Sequence, residues 1–173
     1  MPADRITGLP GITAMIHFTD LTYHYEQDCT SLEQVLTKHK PALGFLQYLP
    51  PQLHVTVIKH LEYEGRETGN NTTYACFKSN NRFKHIPSKT HKYVKSIRPD
   101  IVLVQGLTFP IQLISLKIKL GKKTKIIAQH HGGLPARGIV GLLQRVADKC
   151  IAAYLFTAVA NATPWLQANI ISG

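Results

Sequence analysis

"IVLVQGLTFPIQLISLKIKLGKKTKIIAQ", residues 101–129, decides the fold. It opens with a short, wholly apolar run from Ile101 to Val104 and passes through Gln105-Gly106. Apolar residues at helical spacing then start at Pro110 and stop at Gly121, and a second apolar run lies within Lys123 to Gln129. Short, fully apolar strands are what a parallel sheet buried on both faces requires. Proline in a first helical turn and glycine just past the last one bracket the crossover helix between them. The stretch therefore predicts strand, helix, strand.

Downstream, Ile139, Leu142, Leu143 and Val146 recur at helical intervals and predict the buried stripe of a helix that begins near Pro135. "AAYLFTA" (152–158) reads as one more apolar strand. Upstream, Pro99 stops a basic helix over about 88–98. The segment from Glu62 to Lys89 is polar, with one short strand at "TTYACF" (72–77). "LHVTVIKHL" (53–61) is rich in β-branched residues and follows Pro50-Pro51, so it reads as a strand. Thr30 and Glu33 have capping-box spacing, placing a helix start at about residue 31, and Pro41 should divide that helix. "AMIHFTDL" (14–21) reads as the first strand. The expected fold class is α/β, a mostly parallel sheet with helices on both faces, in one domain over 1–173.

Composition limits the partners. The 173 residues carry 20 Lys+Arg against 10 Asp+Glu, a formal charge of +10, which draws phosphates, nucleic acid or an acidic membrane face. Cys29, Cys76 and Cys150 are odd in number and lack CxxC spacing, which argues against a disulfide framework or a zinc knuckle and fits a reducing compartment. No secretory h-region and no membrane-length apolar run is present, so the expected location is cytoplasmic, including the inner face of the membrane. Nucleic acid is not an expected partner, because no helix-turn-helix, RRM or KH pattern accompanies the charge.

In an open parallel sheet, ligands bind beyond the carboxyl ends of the strands. That directs attention to the loops 20–30, 105–109, 129–137 and 157–164. Their polar and glycine residues include His24, Tyr25, Gln105, Gly106, Thr108, Gln129, His130, His131, Gly132 and Gly133, with Phe109 beside them. Adjacent residues at a strand end point to opposite sides, so His130 and His131 should not grip one metal ion, and no metal or other cofactor is expected. The glycines can serve as a turn or let backbone approach a phosphate, and either histidine can be structural or functional. P-loop, GxGxxG and GxSxG fingerprints are absent.

The run "KSIRPDIVLVQGLTFPIQLISLKIKLGKKTKIIAQHHGGLP", with Ala147-Asp148 leading to a strand that ends at Thr157, resembles the N-terminal domain of bacterial glycosyltransferases of the two-Rossmann-domain (GT-B) class, particularly the retaining family 4 group. The motifs carrying the resemblance are Arg98-Pro99-Asp100-Ile101-Val102, Gln105-Gly106 and "QHHGG", within about residues 90–173. The resemblance implies a Rossmann-like half of a GT-B fold, and transfer of a sugar from a nucleotide-sugar donor to a glycan or lipid-linked acceptor without an obligatory metal. It implies that His131, or failing it His130, contacts the donor sugar, with Gly132 and Gly133 near the donor phosphate. Gln105, Gly106, Thr108, Phe109, Gln129, His24 and Tyr25 would lie in the acceptor-side cleft. The donor-binding C-terminal domain, with its acidic motif, would lie outside this chain, and the loop "DLTYHYEQDCTS" (20–31) lacks the glycine pair that many relatives carry there. A different class stays open: a stand-alone Rossmann-like module binding an anion or partner without catalysis. An anionic membrane surface is a further expected partner on charge.

Overall fold

The computed structural model describes residues 15–69, 71–78 and 86–172. Seven strands form one sheet: β1 (Ile16–Glu26), β2 (Leu53–Leu61), β3 (Gly65–Thr68), β4 (Thr72–Lys78), β5 (Ile101–Gln105), β6 (Lys125–His130) and β7 (Ala153–Phe156). Their order is β3-β4-β2-β1-β5-β6-β7, and every neighbouring pair is parallel except the β3–β4 hairpin. The three apolar runs at 101–104, 123–129 and 152–158 thus sit side by side as β5, β6 and β7. The α/β, mostly parallel architecture read from the sequence is the one observed.

Helices α3 (Ser88–Ile97), α4 (Pro110–Leu120) and α5 (Gly138–Asp148) share one core with the sheet. Leu21 and Tyr23 of β1, Val102 and Val104 of β5, and Leu113 and Leu116 of α4 meet there at 6 % exposure or less. Each such leucine, fully buried, stabilises the fold by roughly 1.5–3 kcal/mol, which makes this the closed face of the sheet. Helix α6 (Val159–Gln167) joins the same side, where Trp165 packs near Ala128.

Strand residues alternate, so Phe18, Asp20, Val55 and Val57 point the other way. On that side α1 (Leu32–Lys38), α2 (Lys40–Leu43) and a 3-10 turn (Gly44–Tyr48) cover the β1–β2–β4 half of the sheet, through clusters at Leu32, Val35 and Leu61 and at Leu46, Val55 and Val57. Helices therefore lie on both faces. Among the described residues no helix covers β6 and β7 on this second, open face, where Ala153 and Leu155 are exposed.

Local chemistry explains the boundaries. The first helix is capped by Ser31, whose Oγ accepts from the Gln34 N–H at 3.3 Å, while Gln34 Oε1 accepts from the Thr30 N–H at 2.7 Å. The cap is one residue later than the Thr30 and Glu33 pair suggests, because Ser31 and Gln34 have the same spacing. The break between α1 and α2 falls at His39, just before Pro41. Strand β1 runs five residues past Leu21, with a register irregularity between Leu21 and Tyr25. Strand β3 lies in the segment read as polar connection; three of its four residues are exposed, so it shows no buried alternation.

The clearest departure is α5. It starts at Gly138 rather than near Pro135, and of the expected stripe Ile139, Leu142 and Val146 face solvent at 76, 58 and 45 % exposure, while Leu143 is half-buried. Gly141, Gln144 and Ala147 face inward instead. A Cβ on Gly141 would meet the Ala136 carbonyl oxygen at 2.4 Å, so only glycine allows this approach. Gln144 Nε2 donates to the Leu107 carbonyl at 3.1 Å, and its Oε1 accepts from the Ala136 N–H at 3.0 Å. Backbone satisfaction by a glutamine, with two small neighbours, fixes the rotation of the helix against its apolar pattern.

Candidate functional site

The chain travels from β1 to β2 and β4 in one direction, then returns to place β5 on the other side of β1. Such a reversal leaves a crevice beyond the carboxyl ends of the two strands. Asp20 on β1 and Gln105 on β5 face each other across it: Gln105 Nε2 donates to Asp20 Oδ1 at 2.9 Å and to Gln129 Oε1 at 3.3 Å. A carboxylate oxygen only accepts, so the Gln105 amide is oriented with Oε1 outward. His131 Nε2 lies 3.1 Å from that Oε1, so in the neutral form of the ring Nε2 carries the hydrogen and Nδ1 keeps the lone pair.

These groups line a cleft of about 640 Å³ on the open face, together with Thr22, His24, His39 and Lys59. Phe18, Leu53, Val55 and Leu103 add an apolar part to its wall. Burial raises the Asp20 carboxyl above its usual range, while the Gln105 hydrogen bond and the charges of Lys59, His131 and His39 pull it back down. Lys59 donates to Thr22 Oγ1 at 3.2 Å and lies 3.7 Å from Glu26 Oε1. Burial alone raises Glu26, but hydrogen bonds from His39 and Lys38, with the charge of Lys59, outweigh it and leave its pKa below the ordinary value.

His130 is one residue from His131 and belongs to the other side. It is 4 % exposed, its ring centroid 4.7 Å from Trp165 and 5.8 Å from Phe156, both edge to face. Its Nε2 is buried without a hydrogen-bond partner. Burial lowers its pKa; the Gly133 backbone, near but outside hydrogen-bonding geometry, opposes that shift, and His131 adds to it. The two imidazoles cannot converge on one ion.

The remaining sequence candidates separate cleanly. Gln129 and His24 line the cleft with Gln105 and His131. Gly106 begins the adjoining loop, its N–H donating to the Gln129 carbonyl at 2.7 Å. Phe109 supports His24 from behind, with ring centroids 5.0 Å apart, and Thr108 is exposed in the same loop. Tyr25 is turned away, donating its hydroxyl to Glu62. Gly132 and Gly133 follow His131 at φ of 133° and 101°, values open to glycine alone, and so carry the chain from β6 across the sheet edge.

Sequence reasoning did not single out Asp20, Thr22, Lys59 or His39. A signal was present in two of them: Asp20 and Lys59 are charged residues at period-2 positions within otherwise apolar strand patterns, the sign of a polar group aimed into a sheet-face pocket. For a cation, Glu26, Asp28 and Cys29 bring ligand atoms within 4.8 Å of one another. Lys38 and His39 already engage that Glu26 carboxylate at 3.1 and 2.8 Å, so a metal would have to displace them.

No protein-family model matches the chain, and no curated protein is significantly similar to it. Among the described residues no helix is long and apolar enough to cross a membrane.

Proposed function

We propose that this chain is the acceptor-side half of a GT-B glycosyltransferase, which moves a sugar from a nucleotide-sugar to a glycan or lipid-linked acceptor bound in the open-face cleft. The supporting observation is the chain of contacts Asp20–Gln105–His131 across the β1/β5 crevice. It holds one imidazole at the cleft with Nδ1 free to accept a hydroxyl hydrogen bond. Such an acceptor is useful where a glycosidic centre gains positive charge as its bond breaks, because a dipole fixed beforehand needs no reorganisation during the reaction. Gln105 and Asp20 act as positioning residues: they set the tautomer of His131 and hold its ring.

A donor-binding domain has to complete the site, and Gly132 and Gly133 would face the donor phosphate there. The same cleft, with Lys59 and His39 in its wall, also suits the second reading, an anion-binding module without catalysis. Amide-resolved NMR titration of the chain separates the two. The glycosyltransferase reading expects glycans and lipid-linked saccharide analogues to shift the amides of Gln105, Gln129 and His131, and His131→Ala to weaken that response. Shifts produced by inorganic phosphate and by none of the glycans would replace it with the anion-binding reading.

A further inference from the structure

Helix α5 carries three of its five large apolar side chains on the wrong side for a core, while Val140 and Leu143 are half-buried. Ile139, Leu142 and Val146 fall within one narrow arc of the helix and point to solvent, while Gln144 and Gly141 lock that rotation in place. Exposed apolar residues scattered singly need no explanation; a continuous row on one helix does. Leu134, in the loop leading to the helix, is 78 % exposed as well.

The charges around the row have one sign. Arg137 precedes the helix, Arg145 lies in its last turn and Lys149 follows it, all exposed. Arg145 also donates to the Ala168 carbonyl at 3.0 Å, which holds its guanidinium beside the row. The one acid of α5, Asp148, is spent on the protein itself: it accepts from the Tyr154 hydroxyl at 2.6 Å and from Ser172 Oγ at 2.9 Å. The surface therefore presents apolar side chains rimmed by cations with no competing free carboxylate on the helix.

We propose that the outward row of α5, Ile139, Leu142 and Val146 rimmed by Arg137, Arg145 and Lys149, docks on an anionic lipid bilayer. A helix with a strong apolar face and a basic rim lies in the headgroup plane, with its apolar side chains in the acyl boundary and its cations on the lipid phosphates. A second copy of the chain fits less well. A stable self-association surface buries about 800 Å² per partner, more than a short row of side chains spans, and two such rims would set arginines against arginines. The assignment does not depend on the glycosyltransferase reading.

The test is co-sedimentation of the full chain with two vesicle types, phosphatidylcholine alone and equal parts phosphatidylcholine and phosphatidylglycerol. The expected result is binding to the anionic vesicles and far less to the neutral ones. Replacing Ile139, Leu142 and Val146 together by Ser should weaken that binding by more than about tenfold, from the apolar area lost. Arg145→Gln should weaken it about fivefold and reduce its salt dependence. Leu142→Phe, which keeps the apolar character, should retain wild-type binding and guards against misfolding as the cause of a loss. Equal binding by the wild type and the triple serine variant would overturn the proposal, as would no binding to the anionic vesicles. Sedimentation velocity showing a wild-type dimer that the serine variant abolishes, with no difference on vesicles, would assign the row to a second copy instead.

Discussion

His130 and His131 are adjacent in sequence and live in different environments. His130 points to the closed face and is packed by Trp165 and Phe156, with a buried Nε2 that nothing satisfies. His131 points to the open face, is exposed, and is held by a partner on the neighbouring strand. One residue of chain separates a histidine that fills space in the core from one whose ring lines the open-face cleft. The lesson is that strand alternation, more than residue type, assigns the role. The closed face holds a second histidine by burial: His91 sits between Tyr23 and Ser115, and burial, with the charges of His60 and Lys119, drops its pKa to about 4.

The largest expected effect follows from that contrast. Because His91 titrates at about 4 when folded and at 6.5 when free, the unfolded chain takes up its proton first as the pH falls. Stability is full above pH 6.5 and drains away down to about pH 4, by about 3 kcal/mol for this group. Chemical denaturation across that window should show the slope, and His91→Gln should flatten it. An unchanged slope in the variant would mean that the closed face does not hold this imidazole neutral.

Next in size is the open-face histidine. Under the glycosyltransferase proposal, His131→Ala in the enzyme completed by a donor-binding domain should lower turnover by about 10²-fold, the loss of one hydrogen bond that strengthens in the transition state. Its exposed position should leave the melting temperature within a degree or two, as for surface substitutions generally. Normal turnover would remove the catalytic role and leave "QHHGG" as a turn.

His130→Ala should do the reverse, costing about 2 kcal/mol of stability through the cavity left against Trp165, with a lower melting temperature and little loss of turnover per folded molecule. Were it to cut turnover as deeply as His131→Ala without destabilising the fold, the assignment of the two faces would be inverted. The smallest effect concerns the helix that ends at His39 of the cleft: Ser31→Ala should cost about 1 kcal/mol and speed amide exchange in α1. Unaltered exchange there would show that the cap does not hold the helix.

What the sequence revealed depends on whether local pattern and tertiary demand agree. At β2, β5 and β6 the two coincide, since buried parallel strands need uninterrupted apolar residues and Pro110 and Gly121 bracket α4. They part at α5, where the apolar rhythm is strong but the fully buried positions are two small residues, Gly141 and Ala147, and the hydrogen-bonding Gln144. No periodicity can announce that Gln144 will satisfy Leu107 and Ala136. Of the candidate site, Gln105, Gln129, His24 and His131 were legible because they lie within two residues of the carboxyl ends of β1, β5 and β6. Asp20 and Lys59 were not singled out, since their meaning comes from strands brought together over long separations; Asp20 and Gln105 are 85 residues apart. Tyr25 was placed in the cleft from its loop position, and the longer β1 with its irregular register turns it to Glu62 instead.

The position of β1 has a kinetic consequence. It is paired with β2 on one side and with β5 on the other, and Phe18 meets Ile101 only after a separation of 83 residues. As the chain leaves the ribosome, β1, β2 and β4 can associate early, but the second edge of β1 stays unpaired until β5 has been made. Contacts of such long sequence separation slow folding, because loop closure must precede their reward. An unpaired, apolar edge is also the part of a nascent chain most prone to joining another copy. The β5-α4-β6 unit is built from near neighbours and can form by itself, so the slow event in folding should be the docking of that unit onto the waiting edge of β1.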